Sequence, residues 1–93
     1  MAVNMLNLTL SGTTRVTATR IPVQQVIIHN PTGNGSITIG TSAMDETNYG
    51  FLVAAAANSP SIGPFSSGAP LNLNELYIRG TDDQVVRVFY ITH

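Results

Sequence analysis

The 93-residue chain has no cysteine, no tryptophan and no lysine. Without cysteine there is neither a disulfide framework nor a thiolate metal site, so packing and hydrogen bonds alone must hold the fold. Charge is scarce as well, with four arginines and five acidic residues. Four scattered arginines under a net charge of −1 exclude the basic patch that a phosphate backbone requires, so no nucleic-acid partner is expected. Lysine is the residue that small β-proteins commonly place on sheet edges to keep them unpaired. Its absence points to a chain that hides surface against neighbours, in an oligomer or a larger assembly, the alternative being a neutral monomer coated in Thr, Ser and Asn. The opening segment, MAVNMLNLTLSGTTRV, has no basic stretch and no sustained apolar run. Neither a secretory signal nor a membrane span is expected there, and synthesis in a cytoplasm follows.

What the chain does have is a two-residue rhythm. Leu8, Leu10, Val16 and Ala18 alternate with polar residues and are interrupted at Ser11-Gly12-Thr13, which predicts one long strand or two short ones broken by a bend. Ile21-Pro22 then restrains the backbone before a strong strand from Val23 to Asn30, with Val26 and Ile28 on one face and Gln25, Ile27 and His29 on the other. Asn30-Pro31-Thr32-Gly33-Asn34-Gly35 is a turn signal, and Ser36 to Gly40 is the returning strand, giving a first hairpin from Val23 to Gly40. A second is predicted from Leu73–Arg79 and Val85–Thr92 around Gly80-Thr81-Asp82-Asp83-Gln84. Val26-Ile27-Ile28-His29-Asn30 and Leu76-Tyr77-Ile78-Arg79-Gly80 are weakly alike, as two unrelated hairpins often are.

Between them, Thr41 to Pro70 is rich in glycine, proline and small polar residues around one apolar segment, Tyr49 to Ala57. Its alanines suit a helix with Asp45-Glu46 near the first turn, but Gly50 and Asn58-Ser59-Pro60 confine it, and a strand or extended edge is the preferred reading. Ser59 to Pro70 reads as a surface loop available to a partner. The whole predicts a single all-β domain over residues 1–93, a small antiparallel β-sandwich or barrel, jelly-roll-like, of about six to eight short strands. Met1 to Asn7 is expected as an arm that orders on contact with a partner.

Reaction chemistry is hard to place. A hydrolase needs a nucleophile beside an oriented base; the histidines are His29, beside a turn on an aliphatic strand, and His93. His29 reads as a hydrogen-bonded strand residue, and no catalytic residue is assigned. Gly33-Asn34-Gly35 runs into a strand rather than a helix N-terminus, so it reads as a turn and not a phosphate loop. Asp45-Glu46 and Asp82-Asp83 lack the alternating spacing of a calcium loop and read as solvated turn carboxylates. No metal and no cofactor is expected, and the chain is read as no enzyme.

The last strand carries more information. Val86, Val88 and Tyr90 share one face, and Val85, Arg87, Phe89 and Ile91 the other. A strand apolar on both sides is either central in its sheet or covered by another subunit. In the second case Arg87, between Val85 and Phe89, is an interface anchor whose planar fork pairs with carboxylates or carbonyls. The candidate interface residues are therefore Arg87, Phe89 and Ile91 on this strand, with Phe51, Leu52 and Phe65 in the middle segment.

The order of these features, from Ile21-Pro22-Val23-Gln24-Gln25-Val26-Ile27-Ile28 through Ile37-Thr38-Ile39-Gly40 and Gly50-Phe51-Leu52 to Leu71–Gly80 and Val85–Tyr90, resembles the small β-sandwich decoration or cement proteins of tailed-bacteriophage capsids. The likeness covers most of Ile21 to Tyr90, and the Ala-, Ser- and Pro-rich middle departs from it. It implies a non-enzymatic structural protein of the virion, trimeric, on the capsid surface, bound to the major capsid protein and bridging shell subunits. The alternative is a receptor- or glycan-binding β-sandwich module of a virion that uses Tyr49, Phe51 or Phe65.

Overall fold

Burial follows the alternation. Val26, Ile28 and Asn30 are buried while Gln25, Ile27 and His29 are half-buried, and the same period runs through Ile37 to Gly40 and Val85 to Val88. The computed structural model describes residues 2–45 and 47–93. Met1, at the tip of the expected arm, and Glu46, from the first acidic pair, lie outside the described residues. Ten strands occur among the described residues: β1 (Val3–Thr9), β2 (Thr13–Arg15), β3 (Pro22–Val23), β4 (Gln25–Asn30), β5 (Ile37–Gly40), β6 (Phe51–Val53), β7 (Ala57–Asn58), β8 (Leu71–Asn72), β9 (Tyr77–Arg79) and β10 (Val85–Ile91). The excess over the expected number comes from two-residue pieces such as β3 and β8, which single-sequence alternation cannot resolve.

Eight of the strands form two four-stranded antiparallel sheets, ordered β1-β10-β4-β7 and β2-β9-β5-β6, and β3 pairs with β8 beside them. Val26, Ile28, Val86 and Val88 from the first sheet meet Ile37, Ile39, Val53 and Ile78 from the second in one hydrophobic core. Double-sheet packing of eight strands, with the chain changing sheet at every connection between them except β5 to β6, is the jelly-roll form of the β-sandwich. The expected fold class is present.

Both expected hairpins are corrected. Among the described residues β4 has no ladder to β5, and β9 has none to β10; each pair sits in opposite sheets. The connections over 31–36 and 80–84 are longer than the two-residue loops that join paired strands, and they cross the roughly 10 Å between packed layers. Turn chemistry marks a reversal, whether it closes a ladder or a sandwich. The hairpin that does exist joins β5 to β6, Ile37↔Val53 to Ile39↔Phe51, across the Thr41–Gly50 loop. Tyr49 to Ala57 contains strands, β6 and the start of β7, and no helix, as preferred. Leu73–Glu75, expected as strand, is a turn of 3-10 helix. Ser59 to Pro70 is less free than a surface loop, because Ser59 N–H donates to Ile28 O (2.8 Å) and Ile62 bridges Val26.

The weak repeat becomes a symmetry of topology. Advancing each strand of the first sheet by half the strand sequence turns β1-β10-β4-β7 into β6-β5-β9-β2, the second sheet read from its other end. Val23, Val26 and Ile28 thus correspond to Leu73, Leu76 and Ile78, all buried. The two sheet-crossing turns match as well: Asn34 N–H donates to Pro31 O and Gln84 N–H to Thr81 O, both at 3.3 Å, with Gly33 and Asp83 at φ of 93° and 68°.

The N-terminal segment is also corrected. Val3 to Asn7 is no arm but the greater part of β1, in register with β10 from Val3↔Ile91 to Thr9↔Val85. Its apolar residues among asparagines are the alternation of an edge strand: Leu6 and Leu8 pack against the core while Val3 and Met5 face out.

Candidate functional site

The last strand is central and also bare. β10 lies between β1 and β4, with Val86 and Val88 fully buried on its inner side. On its outer side Val85 and Phe89 are 41% and 42% exposed, so the face is open at both. Register builds the face in rows. Met5 lies opposite Phe89 and Phe89 opposite Ile27; Val3 lies opposite Ile91 and Ile91 opposite Gln25. These two rows set Val3, Met5, Phe89, Ile91 and Ile27 side by side, with Met5 62% and Val3 58% exposed. Contiguous exposed apolar surface of this kind marks an interaction site more often than scattered apolar residues do.

The next row is polar: Asn7, Arg87, His29 and Asn58. His29 Nδ1 lies 2.8 Å from Asn58 Oδ1, so its ring is held as a strand residue. The Arg87 side chain has neither an ion-pair nor a hydrogen-bond partner among the described residues. No acidic residue occurs on β1, β4, β7 or β10. The face therefore presents an apolar floor and one unpaired guanidinium, whose five donors suit a carboxylate or carbonyls on a facing surface.

The outer face of the second sheet is the control that the fold's symmetry supplies. It carries Thr13, Arg15, Tyr77, Arg79 and Thr38, and Leu52 alone among large apolar residues. There Arg15 Nε donates to Tyr77 Oη at 2.9 Å, and the guanidinium sits 5.4 Å from the ring centroid. One architecture thus has one polar outer face and one apolar one.

The six candidate interface residues do not form one site. Arg87, Phe89 and Ile91 share the apolar face. Leu52, 61% exposed, lies on the outside of the other sheet, and Phe51, 38% exposed, stands beside it on the edge strand β6. Phe65 is held near the chain's C-terminal end, its N–H donating to Gln24 O (2.8 Å) and its carbonyl 2.9 Å from His93 Nε2. Val3, Met5 and Ile27 were not singled out from the sequence. Their own alternation was the available signal, but pairing in register with β10 is what assembles them.

A second feature is a shallow hollow of about 260 Å³ lined by Gly40, Thr41, Met44, Asn48, Tyr49 and Gly50. Asp45 organises its rim. Its Oδ1 accepts from the Thr47 and Asn48 N–H groups, both at 2.8 Å, and from the Thr47 hydroxyl at 3.0 Å. The Thr47 N–H, followed by that of Asn48, holds the Asp45 carboxyl at about 2, below the ordinary 3.8. Because the folded value is the lower one, the ionised turn is fully stabilising above pH 3.8 and fades as the pH falls towards 2. The Thr47 and Asn48 amide resonances are expected to titrate with a midpoint near 2; a midpoint at 3.8 would show a carboxylate that makes no such bonds.

No family model, characterised protein or solved structure matches this chain. Geometry therefore carries the functional reading. Among the described residues no three His, Asp or Glu side chains converge as metal ligands, and no helix is long and apolar enough to cross a membrane. Asp82, of the second acidic pair, accepts the Gly12 N–H at 2.7 Å and so pins the β1–β2 corner to the β9–β10 turn.

Proposed function

We propose that the chain is a non-enzymatic virion structural protein that decorates a phage capsid and stabilises it by bridging shell subunits, with the major capsid protein as its partner. The supporting observation is the apolar outer face of the β1-β10-β4 sheet around Phe89. Burying a large apolar side chain stabilises by about 1.5–3 kcal/mol, so five partly exposed ones in two adjacent rows supply a driving force that this charge-poor chain cannot obtain from ion pairs. Made in the host cytoplasm, such a chain stays on the outside of the shell. Heads of the phage that encodes it are expected to contain the chain, and heads lacking it to melt at a lower temperature. Purified virions without it would remove the proposal.

A glycan- or receptor-binding module is the second reading. Jelly rolls host viral capsid and lectin domains alike, so the architecture supports both. The hollow beside Tyr49, which is 43% exposed, favours it, because saccharides stack on exposed aromatic rings. On this reading a glycan screen returns ligands that Tyr49→Ala loses. A blank screen with a chain that still binds heads would leave only the first.

A further inference from the structure

The sandwich has four open sheet edges, and three are short. β7 contributes two residues, and β2 and β6 three each. The fourth, β1, runs for seven residues, pairs with β10 along one side and, among the described residues, has no strand on the other. Its sequence, Val3-Asn4-Met5-Leu6-Asn7-Leu8-Thr9, contains no charge, no proline and no glycine. Charge, proline and short length are among the devices by which proteins blunt an edge, and β1 has none of the three.

We propose that β1 joins two copies of this chain: it pairs antiparallel with β1 of a second copy about a two-fold axis at Leu6, making one continuous eight-stranded sheet. Composition favours a second copy, and register is compatible with it. Pairing about Leu6 engages every residue of the strand, with Leu6 opposite Leu6, Asn4 opposite Leu8, Met5 opposite Asn7 and Val3 opposite Thr9. Core-facing residues meet core-facing residues, and outward ones meet outward ones; a slip of one residue would break that match along the whole strand. An uncharged strand opposes no like charges when it meets itself. Leu6 and Leu8, only half-buried at the rim, become interior to the joined sheet. Val3 and Met5 border the seam, so the two apolar outer faces lie on the same side of the joined sheet, with Met5 of one copy diagonal to Met5 of the other.

This deepens the capsid reading, rests on it in one respect, and puts a two-fold pair in place of the trimer that the resemblance implies. Bridging needs two docking faces, and one chain has one; the two-fold supplies the second. Face-to-face association of the apolar surfaces is the poorer alternative, because it brings two Arg87 side chains into an interface where neither face has a carboxylate.

The test uses the full chain, whose lack of cysteine removes any background. Directly opposed residues of an antiparallel pair have Cα atoms about 4.5–5.5 Å apart, inside the disulfide range of about 4.4–6.8 Å. Leu6→Cys is expected to cross-link two copies on mild oxidation. Leu8→Cys alone is not, whereas a mixture of Asn4→Cys and Leu8→Cys chains is. Sedimentation equilibrium of the unsubstituted chain is expected to give twice the chain mass at high concentration. Leu6→Lys is expected to give the single-chain mass with an unchanged circular dichroism spectrum, since at an open edge its ammonium reaches water and in the joined sheet it meets its own copy. An unsubstituted chain with the mass of one or three chains, or a dimer in which Leu6→Cys does not cross-link, overturns the proposal. Head binding by the monomeric Leu6→Lys chain, reduced about tenfold or more but not lost, separates failure of the joint from failure of the docking face.

Discussion

Replacing Phe89 by glutamate is expected to abolish head binding while leaving the sandwich folded. Phe89 sits at the centre of the apolar rows, between Met5 and Ile27, and a buried aromatic at an interface centre typically contributes 2 kcal/mol or more, about thirtyfold in affinity. A carboxylate there must also be desolvated against an apolar floor. The cost to the fold is small because the side chain is 42% exposed and points away from the core, so a stability loss of about 1 kcal/mol or less is expected. Thr38→Glu, on the outer face of the opposite sheet, is the matched control and should bind as the parent does. Co-sedimentation with purified heads reads both. Equal loss from the two variants would place the docking surface elsewhere.

The largest effect on stability is expected at Asn30, a fully buried polar residue at the end of β4. Its Nδ2 donates to Gly35 O (3.0 Å) and Val53 O (3.2 Å), and its Oδ1 accepts from Asn34 Nδ2 (3.1 Å). One amide thus ties the first sheet to its sheet-crossing turn and to edge strand β6 of the second. Asn30→Leu keeps the volume and strands those acceptors without donors. Each buried orphan costs about 1–3 kcal/mol, so a loss of about 2–4 kcal/mol is expected, seen as a fall in Tm on the order of 10–20 °C. Asn34→Ala should cost less, since its bond to Val85 O is exposed. A Tm for Asn30→Leu within a degree or two of the parent would mean that the network carries no net energy.

Asn30 also shows where sequence reading stops. It sits in an Asn-Pro turn signal and was legible only as a turn residue, because nothing local says that its side chain points inward to meet Val53 on a distant strand. The same limit explains the hairpins. Pro31, Gly33 and the Gly80–Asp83 run announced reversals correctly, but whether a reversal closes a ladder or crosses between layers depends on which strand arrives beside it. For β4 and β10 that partner is each other, contributed by opposite halves of the chain. Strand identity was far easier to read, since period-two burial is written in neighbouring residues such as Val26 and Ile28 or Val86 and Val88. Half of the candidate face was legible for this reason: Arg87, Phe89 and Ile91 follow from one strand's alternation. Val3, Met5 and Ile27 belong to the face only through cross-strand register. Phe51, Leu52 and Phe65 stand out in the sequence only as apolar residues of the middle segment; the fold sets Phe51 and Leu52 on the other sheet and Phe65 beside Gln24, at the border of the face.

The apolar outer face of the β1-β10-β4 sheet is expected to be the surface that meets the shell. A cryo-EM reconstruction of heads carrying this chain tests it most directly. The expected map shows Val3, Met5, Phe89 and Ile91 against shell density, with Arg87 beside a carboxylate or carbonyl and the Arg15–Tyr77 face turned to solvent. A map with the Arg15–Tyr77 face on the shell and Phe89 facing water would contradict it.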